Sequence, residues 1–508
     1  MFRWKRAAAV AAVVGLGLTG CSHSGGSSSS GGGELKLGLL TAPASWAASK
    51  VQWANASPFD QAVYDTLLHA DPKTAEPKPW IATSWSYNAD KTVLTLKLRS
   101  DVKFTDGTKL DAAAAAQNLL RFRDGTAPDK SHLANLKDAK AVDATTLQLT
   151  LSQPDPAMLG YLSQAPGLLE SPKAFTSKTI DTVPVGSGPY VLDTKASVTG
   201  SKYVFTKNPT YFAKSQQPFG KVTMLILATP QTELNAIKGG QVDGLNILDQ
   251  STIAQIKSTR GFSVVQQPLD WKGIALLDRN GKDTPALKDV RVRQAINYAV
   301  DRAAVLKAQE KGLGEVTSSV FATSSPAYDK SLDSFYSYDP AKAKSLLKAA
   351  GYSSLTLKLP RVAGFGDVSN NLIQQYLGAV GIKVSFTNEP GQNVIADILA
   401  PKYSATYFSL QEDPNPFQAV NFLLTKGAVF NPYHVDDPKI EAYAKTIQTG
   451  SASASAQAAK DLNKYVVEQA LMAPFYRDEN AFAVGPKITA VPQAGNAYPY
   501  LYNIKPKG

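Results

Sequence analysis

Between Ser84 and Arg123 the chain switches from a two-residue to a helical period, and this switch constrains its fold more than any other feature. Leu94, Leu96 and Leu98 alternate with Thr95, Lys97 and Arg99, the pattern of a strand with one buried face and one wet face. Val102 and Phe104 continue the alternation, and Asp106-Gly107 is a turn dipeptide whose glycine can take a positive φ. Asp111 then stands where an N-cap would, ahead of the run Ala112 to Ala116 and the apolar Leu119, Leu120 and Phe122. The stretch predicts a hairpin running into a helix.

A chain of 508 residues is too long for one core and implies two or three lobes. Its 44% hydrophobic and 19% charged residues suit a globular protein. The formal charge of +11 is spread along the chain, whereas nucleic-acid binding needs a dense basic patch. No nucleic-acid partner is expected.

The first six residues hold Arg3, Lys5 and Arg6, and Ala7 to Gly20 is an apolar run of small residues. Its length suits the h-region of a secretory signal and is short for a membrane span. Gly15, Gly17 and Gly20 match the spacing of a dinucleotide fingerprint, but no βαβ pattern surrounds them. The run ends in Leu18-Thr19-Gly20-Cys21, a lipobox-like sequence, and Cys21 is the single cysteine of the chain. Cleavage before Cys21 would place a lipidated cysteine at the new N-terminus. Ser22 to Gly33 is a Ser/Gly tract of the flexible-linker kind. The expected location is extracytoplasmic, anchored to the outer face of the cell membrane through Cys21. Without another thiol, the mature body holds no disulfide.

The wording of the opening stretch carries more than its period. Pro79, Ser84-Trp85, Asp90, Leu98-Arg99 and Asp101-Val102-x-Phe104-x-Asp106-Gly107 resemble the signature block of the oligopeptide and dipeptide-binding family of extracellular solute-binding proteins (family 5), the receptors of ABC importers. The alanine run after Asp111 departs from the Ala-x-Asp-Val helix start usual there. Gly186-Ser187-Gly188-Pro189-Tyr190, Asn208-Pro209-Thr210-Tyr211 and the Gly240 to Asp243 turn are similar to further family blocks in the same order. So is Leu287 to Ile296, where Asp289 can cap a helix whose face is Val292, Ala295, Ile296, Ala299, Val300 and Ala303.

Other elements follow from local signals. Glu34 to Leu40, Thr146 to Leu151, Trp271 to Leu277 and Ile382 to Phe386 read as strands. Phe59 to Leu68, the segment from Asp339 to Gly351, and Ser451 to Met472 read as helices. Strands alternating with helices make the large C-terminal part α/β. The resemblance implies a periplasmic-binding-protein-like, two-lobed fold (type II, with an extra small domain) and a ligand cleft between the lobes. On this reading 1–20 is the signal peptide and 21–33 the lipidated cysteine and linker. Residues 34–57, 184–273 and 476–508 form lobe I, 58–183 its extra small domain, and 274–475 lobe II.

The sequence shows no Gly-x-Ser-x-Gly elbow, Walker loop, His-Glu-x-x-His or Cys-x-x-Cys. Neither an enzyme nor a metal or other cofactor is expected. The informative region is Tyr403 to Phe417, where an apolar strand meets an acidic pair and a Pro-Asn-Pro loop expected to lack helix. In peptide-binding relatives this place holds an Asp that pairs with the ligand's α-ammonium, while the strand bonds the extended peptide by β-augmentation. The closest match puts Glu412 there, and a shift of one puts Asp413 there.

The resemblance thus implies a short-peptide receptor that delivers its ligand to a membrane permease, acting as a monomer. Its ligand set would be Glu412, Asp413, Ser409, Leu410, Gln411, Trp271, Trp46 and Asn246. Arg361 or Lys402 would serve a ligand carboxylate. Trp46 and Trp53, in a polar stretch without packing period, read either as exposed loop aromatics that contact ligand or as plugs of the lobe surface. The alternative within the family is an oligosaccharide receptor, with Trp46, Trp53 and Trp271 stacked on sugar faces. From another class comes an extracellular hydrolase or adhesin on the same scaffold.

Overall fold

The computed structural model describes residues 32–227, 229–247, 250–362 and 366–507. The signal-like segment and Cys21 lie outside the described residues. The chain enters lobe I through β1 (Glu34–Leu39), whose leucines Leu35, Leu37 and Leu39 are buried. The first helix, α1, spans Trp53–Val63, six residues ahead of the expected start at Phe59, and Leu68 lies beyond it in a short strand. Trp53 packs edge-on against Tyr500, a long-range contact that local periodicity cannot report.

The strand and the helix of the opening stretch form as read, but the hairpin partner of Leu94 to Leu98 is the segment before it and not the one carrying Val102 and Phe104. β2 (Ala82–Tyr87) and β3 (Val93–Leu98) form a hairpin, and Leu94, Leu96 and Leu98 face the core. Val102 and Phe104 are buried in a tight loop, where Gly107 takes a φ of 82°. Asp111 caps α2 (Ala112–Arg123) by accepting from the Ala114 N–H at 2.8 Å. With β4 (Leu136–Asp143) and β5 (Thr146–Leu151) these strands make a separate antiparallel sheet, in the order β2-β3-β5-β4.

The chain then returns to the main sheet through β6 (Tyr190–Leu192), β7 (Lys202–Lys207), β8 (Lys221–Ile226) and β9 (Gly244–Ile247). It leaves lobe I along β10 (Ser263–Leu276), longer than the expected strand. Lobe II follows as α3 (Val290–Ala299), α4 (Arg302–Glu310), β11 (Glu315–Val316), α5 (Pro340–Ala349), β12 (Leu355–Arg361), α6 (Asp367–Ala379) and β13 (Ile382–Asn388). It continues with β14 (Ala405–Gln411), α7 (Pro416–Leu423), α8 (Pro438–Thr449) and α9 (Ala452–Glu468). Strand β15 (Ala473–Val484) carries the chain back to lobe I. Asp289 caps α3 as expected, through the Arg291 N–H at 2.8 Å. The helix stops at Ala299, because Asp301 starts and caps α4, and Ala303 is exposed on that second helix.

One nine-stranded sheet runs through both lobes, in the order β14-β10-β15-β9-β1-β8-β7-β6, with β11 also on β15. The two halves of β10 have different neighbours. Ser263 to Pro268 pair with Val484 to Glu479, beside the strands of lobe I. Past a register shift at Pro268/Asp270, the strand pairs with Asp478 to Ala473 and with Gln411 to Ala405 of β14. A second shift falls between Lys272 and Gly273. A Cβ on Gly273 would stand 2.3 Å from the Ala473 carbonyl oxygen, so a glycine allows the close approach. Pro474 lies inside β15 at this shift, the kind of irregular position where a strand tolerates proline.

Each lobe has its own main core, and Ala157 and Tyr161 of lobe I pack into that of lobe II. Trp46 is 4% exposed in the lobe I core, edge-on to Phe59, Tyr203 and Phe205. Trp271 is fully buried in a lobe II core with Leu410 and Phe417. Of the two readings of Trp46 and Trp53, exposure in a loop is corrected and the plug holds: both are buried in the lobe I core. Among the described residues no helix is long and apolar enough to cross a membrane.

Candidate ligand site at the lobe junction

Where β10, β14 and β15 meet, charged residues enter an otherwise apolar sheet. Arg477, on β15, is fully buried. Its Nε donates to Glu412 Oε1 at 2.9 Å, its Nη1 to Asp333 Oδ1 at 2.7 Å, and its Nη2 to the Phe321 carbonyl at 3.0 Å. A buried charge persists only when it is paired and hydrogen-bonded, and this guanidinium uses each of its nitrogens. Glu412, 2% exposed, follows β14 directly, and its N–H donates to the Leu269 carbonyl at 2.8 Å. Burial lifts its carboxyl above the usual range against the pull of Arg477. Its Oε2 has no hydrogen-bond partner among the described residues.

The next strand positions carry a second network. Lys272 donates to Glu310 at 2.9 Å and to Asp478 at 2.7 Å. Although burial opposes it, these two carboxylates hold the ammonium above the ordinary lysine range. Burial pushes Asp478 up to about 6, against the pull of Lys272, and Asp478 Oδ1 is buried without a partner among the described residues. Asp270 faces Asp478 across the strand pair and accepts from the Ser409 hydroxyl at 2.8 Å.

Asp413 differs from its neighbour. It is half-buried and has no hydrogen bond or ion pair among the described residues. Burial alone pushes its carboxyl up to about 8. Its charge acts on the hydroxyl of Tyr161, whose pKa is raised first by burial and then by Asp155 and Asp413. Tyr161, from lobe I, stacks on His132 with ring centroids 4.3 Å apart. Asp413 thus lies where the two lobes face each other.

The loop bearing the acidic pair is short. Asn415 caps α7 by accepting from the Phe417 N–H at 2.9 Å, and Pro416 is the first helical residue, where a missing N–H costs nothing. The expectation that the whole Pro-Asn-Pro segment lacks helix is corrected: its second proline starts one. Gln411 is exposed and donates to the lobe I Gly495 carbonyl at 3.0 Å, and Asn415 donates to the Pro156 carbonyl at 3.1 Å. Residues 411–415 therefore touch lobe I at two points.

The model of the bacterial extracellular solute-binding proteins, family 5 (middle) matches residues 76–431. The chain belongs to this family. Among family relatives, the nickel-binding periplasmic protein of Escherichia coli (strain K12) is 31% identical over 286 residues, 54% of this chain and 53% of that protein. The glutathione-binding protein GsiB of Escherichia coli (strain K12) is 30% identical over 333 residues, 64% of this chain and 63% of that protein. The matched stretch thus spans between half and two thirds of the length of these relatives. DppA from Helicobacter pylori in complex with the peptide STSA is similar in structure, with a TM-score of 0.75 and 18% identity over 94% of this chain and 99% of that one. The unliganded open form of MppA, a periplasmic murein tripeptide-binding protein, has a TM-score of 0.80 and 21% identity, with the same coverage. At such identities these structures establish the two-lobed fold and no more. The family is one of binding proteins, in agreement with the expectation that the chain is not an enzyme.

Within this family fold, the residues expected to bind ligand separate. Glu412, Asp413, Ser409 and Gln411 come together at the junction, while Leu410 is buried in the lobe II core. Trp271 points into that same core, and Trp46 lies in the lobe I core. Asn246 sits inside the sheet on β9, 3% exposed, with its Oδ1 unpartnered among the described residues. Arg361 is bonded to Asp367 at 3.1 Å, and Lys402 to Glu389 at 2.6 Å and Asp397 at 3.0 Å, so each is already engaged. Sequence reasoning missed Arg477, Lys272, Asp270, Asp478 and Asp333. The available signal was the charged run Arg477-Asp478-Glu479 inside the apolar strand Ala473–Val484, which breaks strand alternation where burial is expected.

Proposed function

We propose that this chain is the substrate-binding lipoprotein of an ABC importer, capturing short peptides with a free amino terminus between its lobes and delivering them to a membrane permease. Asp413 is the residue that holds the ligand's α-ammonium. The observation that carries the reading is the contrast within the acidic pair: Glu412 is already neutralised by Arg477, whereas Asp413 is half-buried at the lobe junction with no partner among the described residues. An ammonium placed there would offset the desolvation that lifts the Asp413 carboxyl, by stabilising its charged form.

A second feature supports a peptide. Among the described residues strand β14 is the terminal strand of its sheet and forms a ladder with β10 alone, so its outer edge, where clear of the nearby β12, suits an added extended chain. The oligosaccharide alternative depended on Trp46, Trp53 and Trp271 as stacking surfaces, and all three are buried. Cys21 is the proposed lipid anchor, with replacement by serine expected to release the protein from the membrane fraction.

Mass spectrometry of ligand copurified with the protein tests the substrate class directly. Asp413→Asn should weaken binding of free-amine peptides at least about tenfold, the scale of a lost charge-assisted contact worth about 1.5 to 3 kcal/mol. N-acetylated versions of the same peptides should bind weakly to both proteins. Equal calorimetric affinities of the two proteins for free-amine peptides would remove Asp413 from the site.

A further inference from the structure

The small antiparallel sheet of lobe I touches lobe II at two further places. At the β2–β3 turn, Asn88 Oδ1 accepts from the N–H groups of Thr92 and Val93 at 2.9 Å each, and the Asn88 carbonyl accepts from the Lys91 N–H at 3.1 Å. This bracing holds Lys91 at a φ of 53°, the left-handed region that glycine enters without strain and other residues seldom occupy. From there Lys91 Nζ crosses to lobe II, donating to the Gly450 carbonyl at 2.6 Å and the Thr449 carbonyl at 3.3 Å. Those carbonyls end α8, where a helix carries partial negative charge and favours a cation. From lobe II, Gln448 Nε2 donates to the Pro154 carbonyl at 2.8 Å and Asn415 Nδ2 to the Pro156 carbonyl at 3.1 Å.

We propose that Lys91, with Gln448 and Asn415, forms a clasp that sets ligand affinity without touching the ligand. The chain passes between the lobes along β10 and β15. Rotation about these strands carries the small sheet away from α8 and breaks all three contacts together. A receptor's apparent affinity scales with the fraction of its binding-competent form, so donors made only in the closed arrangement raise affinity for every ligand alike. The position of Lys91 gives the clasp its own signature. A side chain that strains its turn but bridges the lobes should trade stability for closure.

The inference rests on the solute-binding reading only in that ligands bind the closed form, so its first test uses no ligand. Small-angle X-ray scattering of the ligand-free full chain should show a larger radius of gyration for Lys91→Gly than for the parent, with Lys91→Gln between them. The melting temperature of Lys91→Gly should be equal or higher, because glycine relieves the turn. With trialanine and glutathione as probes, the dissociation rate should rise about threefold to tenfold by the same factor for each probe that binds. Superimposable scattering curves for parent and Lys91→Gly would overturn the clasp, as would a factor that differs between the probes. Failure of both probes to bind would count against the peptide reading and leave the scattering result to decide the clasp.

Discussion

The β2–α2 stretch and the β14–α7 loop are both rich in acids, and they treat those acids in opposite ways. In the first, Asp101 is held by Arg99 at 2.6 Å, Asp106 accepts from Ser171 at 2.6 Å and from the Thr108 N–H at 2.9 Å, and Asp111 caps a helix. The first two lie below their ordinary range, Asp101 through its bond to Arg99 and Asp106 through Ser171 and Thr108 against a desolvation that opposes them. In the second, burial pushes both Glu412 and Asp413 upward, and only Glu412 has a counter-charge. Acids whose bonds close locally build scaffold. An acid left desolvated at a lobe junction stores an interaction for something else to complete.

The sharpest way to break this comparison is to remove the partner that Glu412 has. Arg477→Ala should strand two carboxylates, Glu412 and Asp333, and cost about 3 to 5 kcal/mol of unfolding free energy. Arg477→Met combined with Glu412→Leu and Asp333→Asn should recover most of that loss in a urea titration. If the single variant unfolds with the parent, the buried cluster is not the structural half of the acidic pair.

A smaller effect separates the two acids by pH. A folded carboxyl raised to about 8 binds a proton that the unfolded chain, near 3.9, has lost. Asp413 therefore costs the ligand-free protein stability progressively as pH rises from about 4 to about 8. Asp413→Asn should flatten that part of the melting-temperature profile. Peptide affinity should rise as Asp413 ionises and fall again above about 8, where the α-amino group loses its proton. Calorimetric affinities across pH 6 to 9 check the shape, and a monotonic profile would contradict the assignment.

The smallest effect tests the scaffold side. Asp111→Ala should lose about 1 kcal/mol through the missing cap and leave peptide affinity unchanged. A change in affinity comparable to that of Asp413→Asn would show that the small sheet takes part in the site.

Much of the fold was legible because its signals are local. The Leu94-Leu96-Leu98 alternation and the caps Asp111 and Asp289 act within a few residues, and each formed where expected. The misplaced start of α1 and the buried Trp46 have one cause: their partners, Tyr500 for Trp53 and Tyr203 and Phe205 for Trp46, are distant in sequence. The acidic pair could be found from its place between strand and prolines, but which acid was free could not, because that depends on Arg477, sixty-five residues further on.

By itself the sequence determined the family, the alternation of strands and helices, the turns and the address of the acidic loop, all carried by short-range pattern. Tertiary structure alone decided which charges meet. A single sheet threads both lobes and returns β15 to one edge of β10, whose other edge pairs with β14, so Arg477 meets Glu412 while Asp413 has no partner among the described residues. The physical reason is that desolvation and pairing belong to the packed neighbourhood of a group, which the order of residues does not contain.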